Sequence, residues 1–486
     1  MTEENSFSNL KLIDALMKSI NELGFSTPTE IQKKSIPILL KTTKDFVGQA
    51  QTGTGKTIAF AIPLLQKLDY TNTNVQALIL TPTRELAQQV ESEIVKLAKY
   101  LDLKSLCVYG GTPYEAQIRD MRKVKPQVVV GTPGRVIDLI KKGVLHLNKA
   151  NFLILDEADE MLNMGFFEDV ELIMTKFKQK RQLLMFSATM PKPIVKLINN
   201  SFNEPTVVKI ETQSISNDDI EQKYFIVREK HFKEALSRLI DSASAKVYAI
   251  VFCRTKIETR EVGDDLKKRG HDVEVLNGDM GQPERDLAMN NFKKKRATIL
   301  VCTDVAARGI DINNLTHVFN YGLPRDNESY VHRIGRTGRA GMKGVAYTIV
   351  GPKATFDIEN LERHIKKRIS LEKLPSVEVL KENLVLSEIE AAEQILSAIQ
   401  SKGDEFKTED SYKFFEEKFK DLDHDQFMKL MFVWKFNKEI RRYNNLSDIE
   451  TINTSSSSSR KDRKKPGRSE RRPGTKNKKS SSRKRY

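Results

Sequence analysis

Short apolar runs that end in polar or glycine-rich turns recur along the chain. Ala77–Leu80 runs into TPTRE, Val128–Val130 into GTPGR, Phe152–Leu155 into DEAD and Leu183–Phe186 into SAT. Further on, Val247–Phe252 leads into CRTK, Asp272–Leu276 into NGDM and Thr298–Val301 into CTD. Helix-patterned stretches such as RELAQQVESEIVKLAKYL and GDDLKKRG lie between them. Runs that are apolar throughout, rather than alternating, predict strands buried on both faces, hence parallel sheets covered by helices. Such sheets bind ligands beyond the carboxyl ends of their strands. The chemically distinctive residues fall at those ends in both halves of the chain.

The pattern predicts two α/β domains, residues 34–207 and 221–378, with a linker at 208–220 inside the polar stretch NEPTVVKIETQSISNDDIEQKYF. The second domain is expected to begin around Tyr224 and to end on the strand GVAYTIVG, followed by a basic helix KKRISLEKLP closed by Pro375. From 379 to 453 only helical patterns remain, in SEIEAAEQILSAIQ, SYKFFEEKFK and HDQFMKLMFVWKFNKEIRRY, the last holding the single tryptophan, Trp434. That segment reads as an add-on packed against the body, as a dimerisation element or as an RNA-contacting module. No aromatic strand of the RNA-recognition-motif kind occurs in it.

Composition sharpens this picture at three points. The net charge of +16 is uneven: residues 460–486 hold 14 Lys and Arg against Asp462 and Glu470, so most of the excess sits in a Ser/Pro/Gly-rich tail, 454–486. A tail that cannot bury apolar surface is expected to be disordered and to attract phosphate backbones in a salt-dependent way, with nuclear localisation or simple solubilisation as the other readings. The three cysteines adjoin apolar stretches without CxxC spacing, which predicts buried thiols in a reducing compartment rather than disulfides or zinc. No apolar run approaches the roughly 20 residues of a membrane helix, and the N-terminus lacks the basic-then-apolar pattern of a secretory signal, so a cytoplasmic location is expected. A nuclear or nucleolar site is the alternative in a eukaryotic host.

Three carboxylates, Asp156, Glu157 and Asp159, at the mouth of a buried strand need a compensating cation. Residues 50–57, AQTGTGKT, supply the reason: they fit a phosphate-binding loop with Ala50 in the place of its first glycine. Gly53, Thr54 and Gly55 let backbone N–H groups face phosphate oxygens, Lys56 reaches the β/γ-phosphates, and Thr57 offers its hydroxyl to Mg²⁺. Asp156 is then expected to hold the Mg²⁺ of bound ATP, Glu157 to orient and deprotonate the attacking water, and Asp159 to accept hydrogen bonds from neighbouring elements. Transition-state charge calls for cations from elsewhere, and HRIGRTGR at 332–339 offers Arg336 and Arg339, three apart and expected on one face of a helical turn. An ATPase completed by arginines from its second domain works only when the domains close.

With AQTGTGKT, DEAD, SAT at Ser187–Thr189 and HRIGRTGR in order, the chain resembles the DEAD-box RNA helicases over roughly residues 5–375. The resemblance implies two tandem RecA-like domains, preceded at 5–33 by an adenine-reading region. There Gln32 of GFSTPTEIQ would hydrogen-bond the adenine edge and Phe7 would stack on the base, although Phe7 reads equally well as a core anchor. It further implies that Asp311 in ARGID contacts the ribose, and that Ser187 and Thr189 link hydrolysis to strand separation through Asp159 and His332. RNA contacts are implied for Pro82, Thr83 and Arg84 in PTRELA, for Gly110 and Gly111, for Thr132 and Arg135 in TPGR, for Gln282 and Arg285, and for Thr303 in CTD. These side chains suit phosphates and sugars rather than base edges, so binding should be largely independent of sequence, with local separation of short duplexes.

Small departures from the family pattern occur at Asn277, Glu160 and Arg254, outside the catalytic set. The partners implied are RNA, with ribosomal or RNA-decay assemblies, and a second copy of the chain through 380–450. An ATP-gated RNA clamp with little unwinding, and a helicase less selective for RNA, are the competing functions.

Overall fold

Each apolar run becomes a strand because residues such as those of ALIL or VVVG find helices on both sides and leave no face for water. The computed structural model of the chain describes residues 6–51, 53–177, 181–210, 219–243, 247–307, 312, 315–338, 342–402, 411–444 and 449. Asp311, Arg339, linker residues 211–218 and the basic tail lie outside them.

In the first lobe the strands are β1 Phe46–Gln49, β2 Ala77–Leu80, β3 Ser105–Val108, β4 Val128–Gly131, β5 Phe152–Leu155, β6 Gln182–Ser187 and β7 Thr206–Lys209. The second lobe has β8 Ile220–Ile226, β9 Ala249–Cys253, β10 Val273–Leu276, β11 Ile299–Thr303, β12 His317–Tyr321, β13 Gly344–Val350 and β14 Ser370–Leu371. Both sheets are parallel, in the orders β3-β4-β2-β5-β6-β1-β7 and β10-β11-β9-β12-β13-β8-β14. The architecture is therefore two tandem RecA-like domains followed by helices.

The register decides what meets at the sheet edge. Leu155 pairs with Leu80 and Met185, and Ser187 pairs with Gln49, so the acidic turn, SAT and the phosphate loop emerge side by side from β5, β6 and β1. On the other half of the same edge, β2, β3 and β4 carry PTRE, Gly110–Gly111 and TPGR. Strand order alone thus separates the two sets of candidate residues.

Four elements differ from the sequence reading. TVVK and IEQKYFI, read as linker and its margin, are strands β7 and β8, because β7 adds to the edge of the first sheet and buries Val208, and β8 adds between β13 and β14 and buries Ile220, Phe225 and Ile226. KKRISLEKLP is not a helix. The helix Thr355–Ile365 ends with Lys366 in the left-handed region (φ 55°), and Ser370–Leu371 then pairs with β8 as an added edge strand. The strand His317–Tyr321, absent from the apolar pattern because it opens on His and Asn interrupts it, lies in the middle of the second sheet.

Beyond Pro375 come the helices Val377–Lys402, Ser411–Phe419 and His424–Asn444. They touch the second lobe where Val377, Leu380 and Tyr443 are buried together and where Arg442 donates to Asp241 at 2.6 Å. Trp434, in contrast, is 70% exposed, with Val433, Phe432 and Leu396 also open.

Candidate active site and RNA face

The phosphate loop is shaped by its glycines. Gly53 and Gly55 take φ of 80° and 84°, and a Cβ at Gly55 would lie 2.2 Å from Nε2 of Gln32. Gln32 donates through that nitrogen to the Gly55 carbonyl at 3.1 Å and accepts from the Thr29 N–H at 2.9 Å. Thr29 in turn donates to the Thr54 carbonyl at 2.7 Å. The residue expected to meet adenine thus also ties the loop to the start of helix Glu30–Lys41. Phe7 is buried in the first lobe's core, which is the anchor reading of that residue.

Lys56 opens the helix Lys56–Lys67, is buried, and its Nζ makes no hydrogen bond among the described residues. A buried ammonium without an acceptor is costly, so the place it points to suits an anion. Across from it stands Asp156, whose carboxyl burial pushes up to about 7 despite the charge of Lys56. Glu157 is raised as well, again by burial, against the opposing charges of Lys56 and Arg336. Glu157 sits at φ 50°, a strained conformation for a non-glycine residue that caps the helix Ala158–Asn163. No group of three or more His, Cys, Asp or Glu among the described residues could hold a metal alone. A hard cation at Asp156 and Thr57 would have to take its other oxygens from phosphate and water.

Asp159 accepts from Thr189 N–H at 2.8 Å and Thr189 Oγ1 at 2.9 Å, its own N–H reaches Ser187 Oγ at 3.3 Å, and Ser187 Oγ donates to the Thr189 carbonyl at 2.7 Å. The acidic turn and SAT are thus one hydrogen-bonded unit. His332 meets this unit through Glu160, Nδ1 to Oε1 at 3.2 Å, not through Asp159.

The second lobe closes this cleft. Glu157, Asp159, Glu160 and Ala188 face Asp304, His332, Arg333 and Arg336. The helix Asn327–Ile334 ends before Arg336, so Arg336 projects from the turn after the helix; the expectation that it shares a helical face with Arg339 falls outside the described residues. Arg333, which the motif spacing does not single out, is fully buried. It holds Asp304 bidentately at 2.5 and 2.7 Å and donates to Asn320 at 3.2 Å, fixing the motif to the end of β11.

On the other half of the edge, Pro82, Thr83 and Thr132 are buried, and Thr83 and Thr132 act as N-cap residues of the helices Arg84–Leu97 and Pro133–Lys141. Arg135 donates to Gln117 at 2.7 Å and to the Thr112 carbonyl at 3.2 Å. Gly111, at φ 87°, leaves room for Arg84, whose Nη1 would lie 2.0 Å from any added Cβ, while Gly110 flanks it. Thr303 Oγ1 accepts from Ala306 N–H at 3.4 Å. The Gln282 and Arg285 pair does something the sequence reading left out, which is to join the lobes. Arg84 donates to Gln282 at 3.1 Å, and Arg285 pairs with Glu85 at 2.5 and 2.9 Å. Glu85 lies within PTRELA, yet nothing in that string reveals a partner 200 residues away.

Nucleotide-fitting and cation-rich strand ends on two RecA-like lobes define the class, a nucleic-acid-dependent ATPase of tandem-lobe build. The DEAD/DEAH box helicase family profile matches residues 29–197, and the helicase conserved C-terminal domain profile matches 231–341. A DEAD-box ATP-dependent RNA helicase CshA of Geobacillus kaustophilus is 45% identical over 396 residues, covering 82% of this chain and 84% of the relative. This chain belongs to the DEAD-box helicase family. Among solved structures, S. cerevisiae Dbp5 bound to RNA and ADP BeF3 superposes with TM-score 0.70 at 31% identity, covering 79% of this chain and 100% of that one. A variant of Dbp5 bound to Nup159, Gle1, IP6 and ADP gives 0.54 at 28% identity, covering 78% and 99%.

Proposed function

We propose that this chain is an ATP-dependent RNA helicase that grips RNA by its backbone, largely regardless of sequence, and separates short duplexes or remodels RNA–protein complexes. The observation that carries this reading is the cleft in which Glu157 of one lobe faces Arg336 of the other beside the unpaired Lys56 ammonium. Family membership and the likeness to an RNA-bound Dbp5 structure support it.

In this reading Gln32 and Asp311 hold the base and ribose of ATP. Gly53, Thr54 and Gly55 present the loop backbone to its phosphates, with Lys56 neutralising the β/γ oxygens. A Mg²⁺ ion held through Thr57 and Asp156 would neutralise phosphate charge. Glu157, kept basic enough by its buried position, orients a water for in-line attack and takes its proton. Arg336 and Arg339 stabilise the charge that develops on the transferred phosphoryl group. Because these arginines belong to the second lobe, hydrolysis requires closure, and closure also brings Thr83, Arg84, Gly110, Gly111, Thr132 and Arg135 opposite Gln282, Arg285 and Thr303. Asp159, Ser187, Thr189 and His332 carry the state of the phosphate site to that face. We divide the chain accordingly into an adenine-reading region (5–33), an ATP-binding domain (34–207), a linker (208–220), a second helicase domain (221–378), a helical extension (379–453) and a basic tail (454–486).

Exposed Trp434, Val433, Leu396 and Ile395 on the helical extension favour a second copy of the chain as a partner. Ribosomal or RNA-decay assemblies are further partners in this reading, and the setting is cytoplasmic.

The decisive experiment is steady-state ATP hydrolysis with no nucleic acid, with single-stranded RNA and with single-stranded DNA of equal sequence. Stimulation by RNA alone is expected. Equal stimulation by DNA would make the chain a less RNA-selective helicase, and no stimulation by either would remove the RNA-gated cleft.

A further inference from the structure

Asp159 spends its carboxylate on Thr189 of its own lobe, at 2.8 and 2.9 Å. The next residue, Glu160, is the one that crosses the cleft, to His332 at 3.2 Å, and only 7% of its side chain is exposed. His332 stands four residues before Arg336 on the segment that carries the arginine to the phosphate site. We propose that Glu160 and His332 form a latch between the lobes, and that Glu160 is a positioning residue that holds Arg336 in the closed, hydrolytic arrangement. This rests on the clamp reading given above.

The surroundings of the pair favour the charged form. Facing His332 from the first lobe are Glu160, Asp159 and Glu157, and from the second Asp304, with Arg333 and Arg336 on its own segment. The Arg333 charge is already met by Asp304 at 2.5 and 2.7 Å. Burial works against the imidazolium, but the Glu160 hydrogen bond and the Glu160, Asp159 and Glu157 charges outweigh it, so His332 is raised above its ordinary value. The closed state therefore binds a proton more tightly than an open one, in which His332 faces water. Closure gains the full latch below the ordinary histidine value of about 6.5 and loses it as pH rises through the raised one.

The test uses the full chain, a fluorescent single-stranded RNA and ADP–beryllium fluoride, and follows RNA release and inter-lobe energy transfer between about pH 6 and pH 9. Wild type should release RNA more slowly as the pH falls. Glu160→Gln should release it about tenfold faster near pH 6.5, the low end for one charge-assisted hydrogen bond, and should lose most of the pH dependence. Its affinity for ATP without RNA, which reports correct folding of the first lobe, should stay within about twofold. His332→Gln and the double variant should match Glu160→Gln, because the two residues act as one unit. The shorter Glu160→Asp should fall between. A Glu160→Gln protein with wild-type release and pH slope, or additive effects in the double variant, would overturn the latch alone. Absence of energy transfer in wild type with RNA and nucleotide would instead overturn the clamp reading, and the latch with it.

Discussion

Asp156 and Glu157 sit in an environment that opposes their own charge. Asp156 is buried, and burial pushes its carboxyl up to about 7 from an ordinary 3.8. The unfolded chain loses this proton first, so the folded state is progressively destabilised from about pH 4 to pH 7 and no further above. Asp156→Asn should therefore stabilise the fold in metal- and nucleotide-free buffer, by on the order of 2 kcal/mol at pH 8 and less at pH 5, while abolishing ATPase activity. A variant with unchanged Tm at pH 8 would show that the carboxylate is compensated without ligand. Glu157 adds a left-handed backbone, φ 50° and ψ 52°, that aims its side chain into the cleft. Glu157→Gln should bind ATP with near-wild-type affinity, hydrolyse it at least about a hundredfold more slowly and stay on RNA. Rapid release of RNA by that protein would contradict its role as base.

At the scale of elements, the molecule is governed by what each strand end is tied to. Arg333 joins the end of β11 to the helix Asn327–Ile334, and the Asp159–Thr189–Ser187 bonds join the ends of β5 and β6. The helical extension is held by a comparable tie. Arg442 donates to Asp241 at 2.6 Å and to the Arg269 carbonyl at 3.1 Å, while His271 lies 3.3 Å from the same aspartate. Burial would raise the Asp241 carboxyl, but the His271 hydrogen bond and the Arg442 charge leave it lowered. Arg442→Ala should cost about 1–3 kcal/mol, since the pair is neither fully buried nor fully exposed. Amides of 424–444 should then exchange faster with solvent than those of β9 and β12. Equal protection in both proteins would mean that Val377, Leu380 and Tyr443 suffice to hold the extension.

For the whole molecule, charge and closure are separate matters. The lobes carry little net charge, whereas residues 460–486 hold 14 basic side chains. Removing that tail should weaken RNA binding mainly at low salt and flatten the dependence of affinity on salt, by roughly 0.7 in slope for each phosphate that the tail neutralises. An identical slope would mean that the tail does not touch RNA. Two parallel-sheet lobes were legible in the chain, and so was the expectation that AQTGTGKT and DEAD lie together, which the adjacent ends of β1, β6 and β5 meet. Those features are local: a glycine-rich turn, an apolar run and an acid cluster are each written in a short stretch of chain. Strands β7, β8 and β12 escaped because polar residues interrupt their apolar ones, and Gln222 and Asn320 are covered only after neighbouring strands and helices assemble around them. Only the tertiary structure decided that Glu160, not Asp159, meets His332, that Arg285 pairs with Glu85, and that Arg333 is a buried strut. The physical reason is that such pairings depend on the register of strand ends and the approach of two lobes, distances that sequence spacing does not encode.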